Sequence, residues 1–393
     1  MGKLTIDADA GVAAFINDSA RFDLSLTMEN ANNPFATRLQ HLHRDIRAKW
    51  GMKPLHRIAV AVYHPSTDLV TTFVESCIGV APVGRHEALL AQMGSLRHLA
   101  QTRATRLIDE ITSTAPGRLG ELYRNGARSS MTVPIYENGG SLFGFIFFDA
   151  NKPEYFDSEI AKWLSIHAKI IGLLLIHEHL TIRLVQAVAR TARQMARLRD
   201  DETGTHLERM SNFARLIAAE GAGRWELSDE FIEQLFWFAP LHDIGKVGVP
   251  DGILLKPAKL SEEEMNEMRR HVTYGVDIID SITRGFELDA IPHLEIARNI
   301  IAFHHENMDG SGYPNGARGH EIPIEGRITA VADVFDALTS ERPYKRRWSN
   351  EEALDHMRKL VGTKFDPDCV EAFSRRMDDV VAIQERFRGD LDI

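Results

Sequence analysis

Large and small apolar residues alternate along Ile58-Ala-Val-Ala-Val-Tyr63, and Thr71-Thr-Phe-Val74 is β-branched and aromatic, so both stretches predict strands. Met131-Thr-Val-Pro-Ile-Tyr136 and Leu142-Phe-Gly-Phe-Ile-Phe-Phe148 flank Asn138-Gly139-Gly140. Glycine accepts positive φ at little cost, so this pattern predicts a tight antiparallel hairpin. Between about Arg57 and Asp149 the chain therefore reads as a sheet with helices.

From Asp157, a good N-cap residue, no proline and only Gly172 interrupt the chain as far as Asp201, which predicts one helix of about 40 residues. Within it Leu184, Val188, Thr191, Met195 and Leu198 recur at steps of four and three. That spacing predicts either a coiled-coil seam or a stripe packed on its own domain. Beyond Thr203 helical patterns dominate. An apolar helix over Phe231–Leu241 is expected to stop at Gly245, and Ser261-x-x-Glu264 forms a capping box that starts a helix carrying His271. Asp309-Gly-Ser-Gly-Tyr-Pro-Asn-Gly316 must be a loop, and a helix from about Gly326 carries Ile328, Val331, Ala332, Phe335 and Leu338 on one face.

Composition narrows the classes. A chain of 393 residues with 44% hydrophobic and 26% charged positions is long enough for two domains and a connector. Its net charge of -10 argues against binding a DNA or RNA polymer, whose affinity is made by cations on phosphates. Met1–Ala20 lacks the pattern of a secretory signal, and the run Ile170–Ile176 is far shorter than the ~20 residues that span a bilayer. Cys77 and Cys369 lie far apart and read as reduced, buried thiols, so a cytoplasmic protein without a membrane anchor is expected.

The candidate chemistry lies in the C-terminal half. Glu202 and His206 are four apart, on one helical face. His242-Asp243 follows an apolar helix, where an unpaired carboxylate would be costly, and Lys246 lies four residues beyond His242. His304-His305 precede the glycine-rich loop, and Asp333 comes on the next helix. Glu202, His206, His242, Asp243, His271, His304, His305 and Asp333 are thus eight candidate metal ligands from five segments. Imidazoles and carboxylates without thiolates suit iron or manganese, and less specifically zinc, and such a set supports hydrolysis with two-metal assistance.

Leu241-His-Asp-Ile-Gly-Lys246, His304-His-Glu-Asn-Met-Asp-Gly-Ser-Gly-Tyr-Pro314 and Ala330-Val-Ala-Asp-Val-Phe-Asp-Ala-Leu-Thr-Ser340 resemble the HD-GYP subgroup of HD-domain phosphohydrolases, with Gly312, Tyr313 and Pro314 as the signature. The resemblance implies an enzyme, a phosphodiesterase that hydrolyses cyclic-di-GMP to pGpG and often onward to GMP. It implies two or three iron or manganese ions held by the eight residues, with Glu202 accompanying the third. It also implies His242, Asp243 and Lys246 at the catalytic centre, and substrate contacts from Lys246, Tyr313, Arg342 and Lys345. The alternatives are another cyclic dinucleotide such as 3′,3′-cyclic GMP-AMP, or a receptor that binds cyclic-di-GMP without cleaving it. Asp336, one turn after Asp333, orients a ligand or water, or only supports its helix.

Gly144-Phe-Ile-Phe-Phe-Asp149, followed by Phe156, resembles a GAF domain. Asn151-Lys152 and Phe156 match part of a motif of cyclic-nucleotide-binding GAF domains, but the Asp-Glu pair after the Phe is absent. The resemblance implies sensory control by a small molecule whose identity, if there is one, the residues do not give. The expected fold is multidomain: an extension over 1–22, an α+β GAF-like domain with an antiparallel sheet over 23–175, a connecting helix over 157–201 overlapping it, and an all-α HD-GYP bundle over 202–393. A homodimer through the connecting helix is expected.

Overall fold

The computed structural model describes residues 34–137, 139–195, 204–285, 294–340 and 346–388. Glu202, Arg342 and Lys345 lie outside the described residues, as do the extension over 1–22 and Leu198.

The first half begins with α1 (Phe35–Lys49), β1 (Leu55–His64), β2 (Leu69–Cys77) and β3 (Glu87–Leu89). It continues through α2 (Gly94–Thr102), β4 (Arg106–Ile108), α3 (Gly117–Arg124), β5 (Ser129–Tyr136) and β6 (Leu142–Ala150) to the long helix α4 (Ser158–Met195). The strands form one sheet in the order β3-β2-β1-β6-β5-β4. β2–β3, β4–β5 and β5–β6 are antiparallel, and the β5–β6 hairpin runs in register from Ser129↔Ala150 to Tyr136↔Leu142 with an irregularity between Ile135 and Tyr136. Gly140 takes φ +83° in its turn. This is the antiparallel sheet with helices expected of a GAF-like half.

Apolar burial holds the sheet to its helices. Trp50, just after α1, lies 4.7 Å from the ring of Trp163 on α4. His43 on α1 is fully buried and reaches β1 and β2: its Nε2–H donates to the carbonyl oxygen of Leu55 at 3.3 Å, so its Nδ1 accepts from the Ser76 hydroxyl at 2.9 Å. Asp157 caps α4 as expected, its Oδ1 accepting the amides of Glu159 and Ile160 at 3.0 and 2.8 Å. Ser158–Leu184 is long and apolar enough to cross a membrane by length and composition, but Leu164, Ala168 and Ile171 are buried core positions. Of the expected seam, the side chain of Leu184 is described and is exposed. Cys77 is half-buried rather than buried, because it ends β2, whereas Cys369 is buried.

The second half is helical: α5 (Gly204–Trp225), α6 (Asp229–Phe238), α7 (Asp251–Leu254), α8 (Glu262–Arg269), α9 (His271–Gly285), α10 (Leu294–Phe303), α11 (Ile324–Thr339), α12 (Asn350–Lys359), α13 (Pro367–Arg375) and α14 (Met377–Arg386). Phe213 on α5, Phe335 on α11 and Phe373 on α13 meet edge to face, with ring centroids 4.7 to 5.7 Å apart. By their contacts the residues group into two compact units. Among the described residues, one holds those up to Ala61 with Val74–Gly84 and Gly94–Ile171, and the other Val62–Phe73, Arg85–Met93 and those from Gly172 onward.

Two expectations need correction. The helix over 231–241 ends at Phe238, well before Gly245, because Pro240 has no amide to continue the ladder; two 3-10 turns follow, Ala239–Leu241 and Ile244–Gly248. The capping box at Ser261 forms as expected, yet its helix closes at Arg269 and His271 opens the next one.

Candidate metal centre

Five segments deliver side chains to one centre. His206 projects from the first turn of α5, His242-Asp243 sit between the two 3-10 turns, His271 opens α9, His304-His305 follow α10, and Asp333 lies on α11. Two clusters result, Asp243 with His271, His304 and His305, and His206 with His242 and Asp333, each with ligand atoms within 4.8 Å of one another. Seven of the eight expected ligands are therefore brought together; Glu202 is the one outside the described residues.

Asp243 stands between the clusters. Its Oδ1 is 3.1 Å from His271 Nε2 and 3.7 Å from His304 Nε2, while its Oδ2 is 3.2 Å from His242 Nε2 and 2.8 Å from Lys246 Nζ. Asp333 Oδ1 lies 3.8 Å from His206 Nε2 and 4.0 Å from His242 Nε2. Donor atoms each about 2.1 Å from one ion and a right angle apart are about 3 Å from each other, so these spacings suit a shared coordination sphere.

Main-chain carbonyls choose which nitrogen faces the centre. His242 Nδ1–H donates to Ala239 O at 3.0 Å, His271 Nδ1–H to Met268 O at 2.8 Å, and His304 Nδ1–H to Ile301 O at 3.0 Å. A carbonyl only accepts, so each ring turns an Nε2 lone pair inward, the form that ligates a metal. The buried atoms Asp243 Oδ1, His271 Nε2 and His304 Nε2 have no hydrogen-bond partner among the described residues. Buried polar atoms left so are costly, and a cation among them would satisfy all three, so the residues fit a metal.

The electrostatics agree. Burial would raise the Asp243 carboxyl, but the Lys246 ammonium beside it holds it well below the usual carboxylate range. Burial, and then His304 beside it, push His305 well below the usual imidazole range, and burial lowers His304 too.

The signature loop lies against the centre. Tyr313 stacks on His305 with centroids 4.7 Å apart and 27° between planes, and Arg269, unnoticed in the sequence, lies 5.5 Å over the Tyr313 ring. Burial and the nearby Asp243 charge raise the Tyr313 hydroxyl, keeping it protonated. Glu306 pins the loop by accepting the amides of Asn315 at 2.7 Å and Ala317 at 3.1 Å. Its place beside His304-His305 was the available signal for that role.

The family profile described as the HD domain matches residues 190–369. The cyclic di-GMP phosphodiesterase response regulator RpfG of Xanthomonas campestris pv. campestris is 45% identical over 190 residues, 48% of this chain and 47% of its own. The 3'3'-cGAMP-specific phosphodiesterase 2 of Vibrio cholerae is 37% identical over 226 residues, 57% of this chain and 41% of its own. The chain spans about half the length of the curated relatives it matches. Among solved structures, the phycoerythrobilin-bound GAF domain from a cyanobacterial phytochrome aligns with 40% of this chain and 96% of its own, at 11% identity and a TM-score of 0.32. The stretch 190–369 is thus similar to the HD domain, and it brings the HD pair, the second His pair and the Gly-Tyr-Pro loop to one centre.

Proposed function

We propose that this chain hydrolyses cyclic-di-GMP to pGpG at the centre around Asp243, with GMP as the alternative end product, under control of its GAF-like half. The observation that carries the reading is Asp243 held between two sets of imidazoles, with Lys246 2.8 Å away. Iron or manganese ions, when bound, would supply Lewis acidity for a phosphoryl oxygen and make water nucleophilic near neutral pH. His206, His242, Asp243, His271, His304, His305 and Asp333 are the ligands in this reading, joined by Glu202 for a third ion. Lys246 binds a non-bridging phosphate oxygen or gives a proton to the departing O3′. Tyr313, stacked on His305, borders the substrate, and Arg342 and Lys345 take its phosphates with charge-assisted hydrogen bonds.

A second substrate has a specific observation behind it, since three similar relatives are named for 3'3'-cGAMP. Protein purified without oxygen, assayed on both dinucleotides and analysed for metal, separates the readings: a higher kcat/KM on cyclic-di-GMP is expected. A metal-loaded sample that binds it and never cleaves it would establish a receptor instead.

The domain limits proposed are 23–175 for the GAF-like unit, 157–201 for the connector and 202–393 for the hydrolase. Ile166, Leu173, Leu180 and Leu184 are exposed on α4, the first three at steps of seven. A homodimer along that face is proposed, in the cytoplasm, with an unassigned small molecule as the GAF-like unit's ligand. Sedimentation of Leu173→Glu and Leu180→Glu variants as dimers like the parent would reject the interface.

A further inference from the structure

Asp336 belongs to neither ligand cluster, yet it is fully buried one turn beyond Asp333 on α11. Its Oδ2 accepts from His206 Nδ1 at 2.7 Å and from Ser340 Oγ at 3.0 Å. Arg209, one turn after His206 on α5, donates Nε to Oδ1 at 2.6 Å and Nη2 to Oδ2 at 2.9 Å. The same guanidinium donates to Ser340 Oγ at 2.7 Å and to the main-chain carbonyl of Phe387, just past α14, at 3.0 Å.

The partner of His206 therefore differs from those of His242, His271 and His304. These three hand their Nδ1 protons to main-chain carbonyls, whereas His206 hands its proton to a carboxylate. A carboxylate partner makes the opposite ring nitrogen a stronger donor and fixes the ring plane. His206 Nε2 is left facing Asp333 Oδ1 at 3.8 Å. A buried carboxylate so close to a metal centre could itself turn toward the cation. Arg209 occupies both of its oxygens from the far side, which neutralises the charge and keeps Asp336 aimed at His206.

We infer that Asp336 and Arg209 are a positioning pair for His206, and that they set metal affinity at the cluster of His206, His242 and Asp333 separately from the cluster of Asp243, His271, His304 and His305. The inference rests on the metal-centre reading above. Through the Phe387 carbonyl, Arg209 also ties the end of α14 to this one ligand.

The test is chelator competition with manganese, measuring stoichiometry and dissociation constants on the full chain for the parent, Asp336→Asn, Arg209→Met and Arg209→Lys. Asp336→Asn and Arg209→Met are expected to weaken one class of site by about 10- to 100-fold and leave the other unchanged. Arg209→Lys should recover part of the loss, because lysine restores the charge but not the two-pronged contact. Unfolding of the metal-free proteins is measured alongside. A merely structural role would lower the melting temperature and weaken both classes together, and that result overturns the inference, as do parental constants in both Asp336→Asn and Arg209→Met. If Asp336→Asn does not fold, Arg209→Met decides alone. A parent that takes up no manganese at either class refutes the metal-centre reading itself, whatever the variants do.

Discussion

A Cβ placed on Gly245 would lie 1.8 Å from the main-chain carbonyl oxygen of His271 and 2.3 Å from the amide nitrogen of Gly275. The turn that carries Asp243 and the first turn of α9 thus meet backbone to backbone. Ile301 closes the far side, 2.7 Å from where a Cβ on Gly275 would be. Without this approach Asp243 Oδ1 could not lie 3.1 Å from His271 Nε2.

Gly245→Ala should therefore lose metal and destabilise the C-terminal helical half by about 3 kcal/mol or more, since neither backbone can give way. Gly223→Ala on α5, whose Cβ meets nothing within 4 Å, is the control, expected to be neutral or to stabilise by about 0.5–1 kcal/mol. Urea unfolding and metal analysis check the pair, and parental values for Gly245→Ala would contradict the close approach.

Gly312 is constrained in the same way. A Cβ there would come within 2.6 Å of Asn307 N, Glu306 Cα and His305 O, so alanine must lift Tyr313 off His305. We expect kcat/KM to fall about 100-fold in Gly312→Ala, the scale set by a displacement near 1 Å in an active site. Steady-state kinetics with a circular dichroism control decide it; activity within twofold of the parent would count against the role given to the loop.

His242→Ala and Asp243→Ala should both abolish hydrolysis while the fold persists. Asp243→Ala removes the carboxylate between the clusters and should deplete both, whereas His242→Ala should spare the other cluster. Metal analysis distinguishes them, and full turnover in either variant would remove it from the centre.

Arg342→Ala and Lys345→Ala should raise KM by roughly 10- to 100-fold, the loss of one charge-assisted hydrogen bond of about 1.5–3 kcal/mol, with the metal count unchanged. Glu202→Ala should instead lower the metal count by one ion per chain. An unchanged KM in the first two, or a parental count in the third, would assign those residues elsewhere.

Acid should weaken the GAF-like half through His43. Burial lowers its pKa from 6.5 to about 4, so below pH 6.5 the unfolded chain binds the proton that the folded one refuses. Its contribution is complete above the unfolded value and declines as pH falls toward the folded one, by about 2 kcal/mol between pH 7.5 and 5. His43→Gln should shrink the drop in melting temperature over that interval. An unaltered drop would mean that His43 protonates freely in the native state.

Local features could be read directly from the residues. The hairpin around Gly140, the cap at Asp157, the long helix and the box at Ser261 each depend on neighbours a few positions apart, and spacing records such relations. The grouping of seven candidate ligands was legible for a different reason: clustered His and Asp residues in apolar surroundings have few inexpensive alternatives to binding a cation. Pro240 carried a local warning that the helix after Asp229 would end early, though the apolar run obscured it. What only the tertiary structure decided joins distant segments: Asp243 between two sets of imidazoles, carbonyls that select Nε2, Asp336 reaching back to His206, and Gly245 against His271. Such contacts depend on how whole helices pack, and periodicity within one segment holds no information about the distance to another.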